Sequence, residues 1–277
     1  YYTILFILSS LFLIFFLKSK TYINNLMLSG KYIKSPAFDP PETDNIYPHA
    51  GDKFERASHG LRCEEWDSVS WSDSTWFIGD SNTYGIGIKH RSDTIPGQYA
   101  TLKNEKVVNL GLPGASIYNM LEISTWAITR GRPKQVIIGH TYPQRFIDFF
   151  EDGWDGRVQQ IRISSDIKQS KKLLLKNYKG KDYQWKRILY WSTREISSAW
   201  HWYMYTREIL TDGIFKGIKC IEWIPGPEED FNRLVNEFTA IPYIGFIDTG
   251  SDNMHPGPGF AKKMAQVLVT HSLVNNQ

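Results

Sequence analysis

The stretch that decides the fold runs Thr75-Trp76-Phe77-Ile78-Gly79-Asp80-Ser81-Asn82-Thr83-Tyr84-Gly85. Its first four residues are bulky and mostly apolar, and they stop at Gly79-Asp80. A short apolar run closed by a turn signal reads as a buried strand. The pattern recurs at Val107-Val108-Asn109-Leu110 before Gly111 and at Gln135-Val136-Ile137-Ile138 before Gly139. Lys219-Cys220-Ile221-Glu222-Trp223-Ile224, closed by Pro225-Gly226-Pro227, makes a fourth strand. Between them, Ile117, Met120, Leu121 and Ile128 share one helical face up to a stop at Gly131-Arg132-Pro133. Phe260, Met264, Val267 and Leu268 keep helical spacing after a Pro/Gly-rich opening. Apolar strands alternating with helices predict an α/β fold whose parallel sheet is covered on both faces. Chemistry in such sheets gathers at the carboxyl ends of the strands.

Outward from this core, the 277-residue chain suits one domain of about 200 residues plus an appendage. Its 42% apolar content fits a globular protein, and a net charge of +3 offers no case for a nucleic-acid partner. Tyr1 to Leu17 is an almost unbroken apolar run ended by Lys18 and Lys20. At about 1.5 Å per residue it lies at the short end of a bilayer span. No small-residue cleavage signal follows, Leu28-Ser29-Gly30 being a poor one. A retained membrane anchor over residues 1–20 is therefore favoured over a cleaved signal. The folded part is then expected on the extracytoplasmic side, or secreted if the run is cleaved. Residues 21–70 read as a stalk and lead-in, with the proline-rich Ser35 to Thr43 extended, and residues 71–277 as the folded domain. Residues 149–216, rich in aromatics and lysines, read as a helical insertion over the sheet's catalytic edge. Cys63 and Cys220 are too few for a disulfide framework, and a single bridge between them stays open.

Ser81 follows the first strand, where a tight turn presents its hydroxyl at the sheet's edge. A serine needs a base to become a nucleophile. The candidate lies near the other end, in Asp252-Asn253-Met254-His255-Pro256. A spacing of three on a turn lets a carboxylate hold one imidazole nitrogen while the other faces the serine. GDSNTYG, the Val108-Asn109-Leu110-Gly111-Leu112-Pro113-Gly114-Ala115-Ser116 segment and DNMHPGPGF resemble blocks I, II and V of the SGNH/GDSL hydrolases. The resemblance spans about residues 74–271 without the insertion. It implies a flavodoxin-like three-layer α/β/α sandwich. Ser81 would attack an acyl carbonyl, His255 would shuttle the proton, Asp252 would orient His255, and the N–H groups of Ser81 and Gly114 would hold the oxyanion. The family's block III, G-x-N-D, is replaced by Gly139-His140-Thr141-Tyr142. Thr141 therefore stands where the Asn oxyanion donor is expected. Loss of one such donor costs about 10²–10³ in rate.

Asn82 and His140 are further candidates to meet substrate, and Arg145 could bind a carboxylate or phosphate, against the plainer reading of a surface ion pair. The aromatic stretch could stack on sugars, although rings at helical spacing more often bury one another. The lysines could meet anionic lipid, against the default of a solvated helix face. His49, His59, His90, His201 and His271 are scattered, so neither metal nor cofactor is expected. The expectation is a membrane-tethered serine esterase or deacylase acting on a glycan or lipid acyl ester. The alternatives are a catalytically weak or inactive structural subunit of a membrane-associated assembly and a carbohydrate-binding module.

Overall fold

The computed structural model describes residues 55, 57, 61–143, 196–226, 229–245, 247–253 and 255–274. Four parallel strands form one sheet: β1 (Thr75–Gly79), β2 (Val107–Gly111), β3 (Gln135–Gly139) and β4 (Lys219–Trp223). Their order is β2-β1-β3-β4, with Thr75 opposite both Val107 and Gln135, and Gln135 opposite Lys219. A parallel bridge between Trp223 and Ile241 carries the pattern into a fifth position. The helices are α1 (Ser81–Tyr84), α2 (Ile95–Lys103), α3 (Ile117–Ala127), α4 (Ile196–Glu208), α5 (Glu229–Phe238) and α6 (Pro258–Val274). A π-helical stretch, Ile209–Ile214, continues α4.

Alternation along each strand sends neighbours to opposite faces, and two apolar layers result. Trp76, Ile78, Val136 and Ile138 pack with Met120 and Ile123 of α3, Tyr203 of α4, and Leu210 and Phe215. Phe77, Ile137, Ile221 and Trp223 pack with Tyr99 of α2 and with Phe260, Met264 and Leu268 of α6. Burying each such side chain is worth about 1.5–3 kcal/mol. The result is the expected sheet covered on both faces.

Cap chemistry sets where the covering helices begin. Ser116 accepts from Asn119 N–H at 3.3 Å, and Asn119 Oδ1 accepts from Ser116 N–H at 3.0 Å, a reciprocal box that starts α3. Thr94 caps α2, with a proline in its first turn. Asp248 accepts from the N–H groups of Gly259 and Phe260, both at 2.7 Å, and so caps α6 from ten residues upstream of Pro258.

Leu61, Arg62 and Cys63, ahead of residue 71, are buried. Trp66 of the lead-in and Trp71 at the start of the domain pack with Trp76 and Trp126 at centroid distances of 4.8–5.6 Å. Arg130 caps the group 4.3 Å above Trp126. Residues 196–215, assigned to an insertion, contain the crossover that covers the sheet between β3 and β4. Parallel neighbours need such a connection, which is why Trp200 and Tyr203 are buried in the core. The apolar run of residues 1–17 and residues 144–195 lie outside the described residues. Among those described, no helix is long and apolar enough to cross a membrane.

Candidate active site

The chain leaves β1 for β2 on one side and later returns to β3 on the other. Such a reversal marks the carboxyl ends of β1 and β3 as the place where ligands bind in open α/β sheets. Ser81 follows β1 and Thr141 follows β3 at that point.

Ser81 opens α1 and is buried. Asp80 caps the turn, its Oδ1 accepting from Asn82 N–H at 2.9 Å and from Asn82 Nδ2 at 3.1 Å. The Asn82 amide, expected to meet substrate, is thus turned back onto Asp80. A Cβ added to Gly79 would lie 2.1 Å from Thr83 Oγ1 and 2.8 Å from the Gly139 carbonyl, so only glycine lets α1 close this tightly over the strand ends. Two buried residues fix the turn from outside. Asn109 of β2 donates to Thr83 O at 3.1 Å and accepts from Gly111 N–H at 2.9 Å. Arg62 donates to the Gly85 and Ile88 carbonyls, both at 2.6 Å, and to Lys89 O at 3.0 Å. Burial lowers the Arg62 pKa to about 10, which still leaves it a cation at neutral pH.

The second half of the site comes from the turn before α6. Asp252 Oδ1 accepts from His255 N–H at 3.0 Å, and Oδ2 meets His255 Nδ1 at 2.5 Å. The Asp252 side chain is buried, whereas 16% of the His255 side chain is exposed. Ser251 N–H donates to Gly87 O at 2.9 Å, and its hydroxyl donates to the same oxygen at 3.2 Å. Gly87 adopts φ +79°, and a Cβ there would lie 3.0 Å from both Gly250 Cα and Asp252 Oδ1. The structure therefore brings Asp252 and His255 together and seats their turn on the loop that follows Ser81. Of this half of the site, the structure shows the Asp252–His255 contact and the seat of its turn.

Gly114 lies in a turn closed by Ala115 N–H on Leu112 O at 3.0 Å, and Leu112 N–H ties that turn to Gly79 O at 2.9 Å. Thr141, expected as an oxyanion donor, is fully buried and gives its single hydroxyl proton to Ala115 O at 2.7 Å. His140 does not line an open site. Its Nδ1 meets Tyr203 Oη at 2.7 Å, its Nε2 meets Glu222 Oε2 at 2.8 Å, and the ring is sealed from solvent. Arg207 completes the cluster through Nε on Glu222 Oε2 at 2.7 Å and Nη2 on Oε1. Burial raises the Glu222 pKa, but His140 and Arg207 together outweigh it and hold it at about 2. Glu222 is then ionised and can only accept, so His140 Nε2 is the donor. Burial drives the Tyr203 pKa well up, and the Thr141 backbone hydrogen-bonds the phenol, whose retained proton serves His140 Nδ1.

Arg145 lies outside the described residues. No disulfide joins Cys63 and Cys220, and burial pushes both thiols up to about 12. Asn109, Arg62 and Tyr203 were not singled out as site residues from sequence. A polar residue inside an otherwise apolar strand is the one local signal that marks Asn109.

Fold and site together define a parallel α/β protein with a serine turn at its switch point and a carboxylate–histidine pair on the turn before α6. No family model and no curated protein matches the chain. One similar solved structure is an acetyl xylan esterase from the rumen bacterium Butyrivibrio proteoclasticus, 14% identical, covering 73% of this chain and 64% of that one, with a TM-score of 0.40. Another is a lipolytic protein of the G-D-S-L family from Desulfitobacterium hafniense, 16% identical, covering 70% of this chain and 97% of that one, with a TM-score of 0.30. The chain thus spans under two thirds of the esterase's length. At these likenesses, what the chain does has to be read from its own residues.

Proposed function

We propose that this chain is a serine esterase or deacylase that cleaves an acyl ester through an acyl-Ser81 intermediate. The observation that carries the reading is the seat of the Asp252–His255 turn on the Gly87 loop, because it links the tail of the domain to the nucleophile turn at its front. Ser81 Oγ attacks the carbonyl while His255 Nε2 takes its proton, and Asp252 holds Nδ1 and stabilises the imidazolium. The N–H groups of Ser81 and Gly114 meet the oxyanion, and the same His255 proton then goes to the leaving alcohol. Water, or an acceptor hydroxyl in a transfer reaction, resolves the acyl-enzyme. The apolar run from Tyr1 to Leu17 supports tethering at a membrane, with an O-acetylated glycan as the substrate class to test first.

A fluorophosphonate probe tests the reading. Labelling of the folded chain should vanish in Ser81→Ala, and hydrolysis of p-nitrophenyl acetate should fall with it. Because the Thr141 hydroxyl is engaged with Ala115 O, the competing reading is a non-catalytic subunit that keeps the fold. Folded protein that takes no label would favour that second reading.

A further inference from the structure

The buried cluster behind Thr141 has more bonding than a helix contact needs. It starts at Arg207 on α4, crosses Glu222 on β4, reaches His140 at the end of β3, and returns to Tyr203 on α4. From Thr141 a single hydroxyl bond at 2.7 Å leads to Ala115 O, the carbonyl next to Gly114. On the far side of that carbonyl, the Ser116–Asn119 box fixes the same backbone. The turn carrying Gly114 is thus held from β3 on one side and from α3 on the other. His140 N–H also donates to Trp223 O at 2.9 Å, which locks the start of the relay to β4.

We propose that Thr141, backed by His140, Tyr203, Glu222 and Arg207, is a brace that sets the Gly114–Ser116 turn, so that Thr141 positions the oxyanion site and does not itself donate to the oxyanion. This rests on the esterase reading for its catalytic half, while the brace itself is a statement about backbone order. A hydroxyl proton serves one strong acceptor at a time, and here that acceptor is a carbonyl of the turn. Backbone N–H groups stabilise a developing charge only if their direction is fixed in advance.

Two measurements on the same variants test it. Thr141→Val keeps the shape and loses the bond. Its amide hydrogen exchange across residues 112–117 should rise about tenfold, with the β1 and β3 amides unchanged. Its kcat should fall about 10- to 100-fold at near-constant KM, the range expected for a misplaced catalytic group. Thr141→Ser should recover most of both, and Tyr203→Phe should show a smaller version of both. A fall in kcat without any change in exchange would make Thr141 a direct donor and overturn the brace. Faster exchange with unchanged kcat would also overturn it, by removing its catalytic role. If the parent protein shows no Ser81-dependent turnover, the esterase reading fails, and unchanged exchange in Thr141→Val would then dispose of the brace separately.

Discussion

Among the described residues, two carboxylate–histidine pairs within hydrogen-bond reach stand in contrast, one on a turn and one inside the sheet. Asp252 holds His255 Nδ1 at 2.5 Å, and the His255 side chain keeps 16% of its surface in solvent. Glu222 holds His140 Nε2 at 2.8 Å, Tyr203 holds the other nitrogen, and none of the ring is exposed. The same two functional groups therefore have different work. An imidazole that reaches the surface of a crevice can exchange protons with a bound molecule. An imidazole closed on both nitrogens in a dry interior is a fixed joint, costly to disturb.

The sharpest way to break this contrast is to remove each ring in turn. His255→Ala should lower turnover about 10⁴-fold or more while leaving urea unfolding unchanged. His140→Ala should do the opposite in kind, losing about 3–5 kcal/mol of stability as the buried Glu222–Arg207 pair loses its third member. Equal stability losses in both variants, read from urea midpoints, would erase the distinction.

Acid titration sharpens the comparison next. Glu222 has a folded pKa of about 2 against an ordinary 4.5, a depressed carboxylate. Its stabilisation is present above the ordinary value and is lost as pH falls from about 4.5 toward 2. Glu222→Gln should be less stable at neutral pH, because it strands the Arg207 charge, and should show a flatter loss of stability across that window. A parent-like acid slope in Glu222→Gln would place the titrating group elsewhere.

Gly87→Ala probes the other pair with a smaller effect. Its φ of +79° strains any L side chain, and at 3.0 Å the Gly250 backbone must give way to a methyl group. The residue should cost about 1–2 kcal/mol in stability and should lower kcat by more than that cost explains, since the Asp252–His255 turn rests there. Normal turnover in a destabilised variant would mean that this contact does not align the base.

Much of this was legible from local pattern. Each strand is a run of apolar residues closed by a glycine or proline turn, and the spacing of Asp252 and His255 already implied a paired turn. What stayed hidden depends on distant backbone. Thr141 finds its acceptor 26 residues back in sequence, and Arg62 finds its first carbonyl 23 residues ahead. No sequence window holds both partners, so neither contact is legible from the residues around Thr141 or Arg62. The helix α2 was missed although Thr94 and Pro96 mark its start, because its apolar face is weakly patterned. Trp200 and Tyr203 fill the space above the sheet, a role that aromatic richness alone does not reveal.

The tryptophan group has an optical consequence. Trp66 arrives from the lead-in and Trp71 opens the domain, while Trp76 and Trp126 belong to β1 and α3, and contacting rings lie 4.8–5.6 Å apart. Indoles at that separation couple their ultraviolet transitions, so near-ultraviolet circular dichroism should carry a split band that exists only while the lead-in is seated. Detachment of that segment could then be followed in real time without any added label.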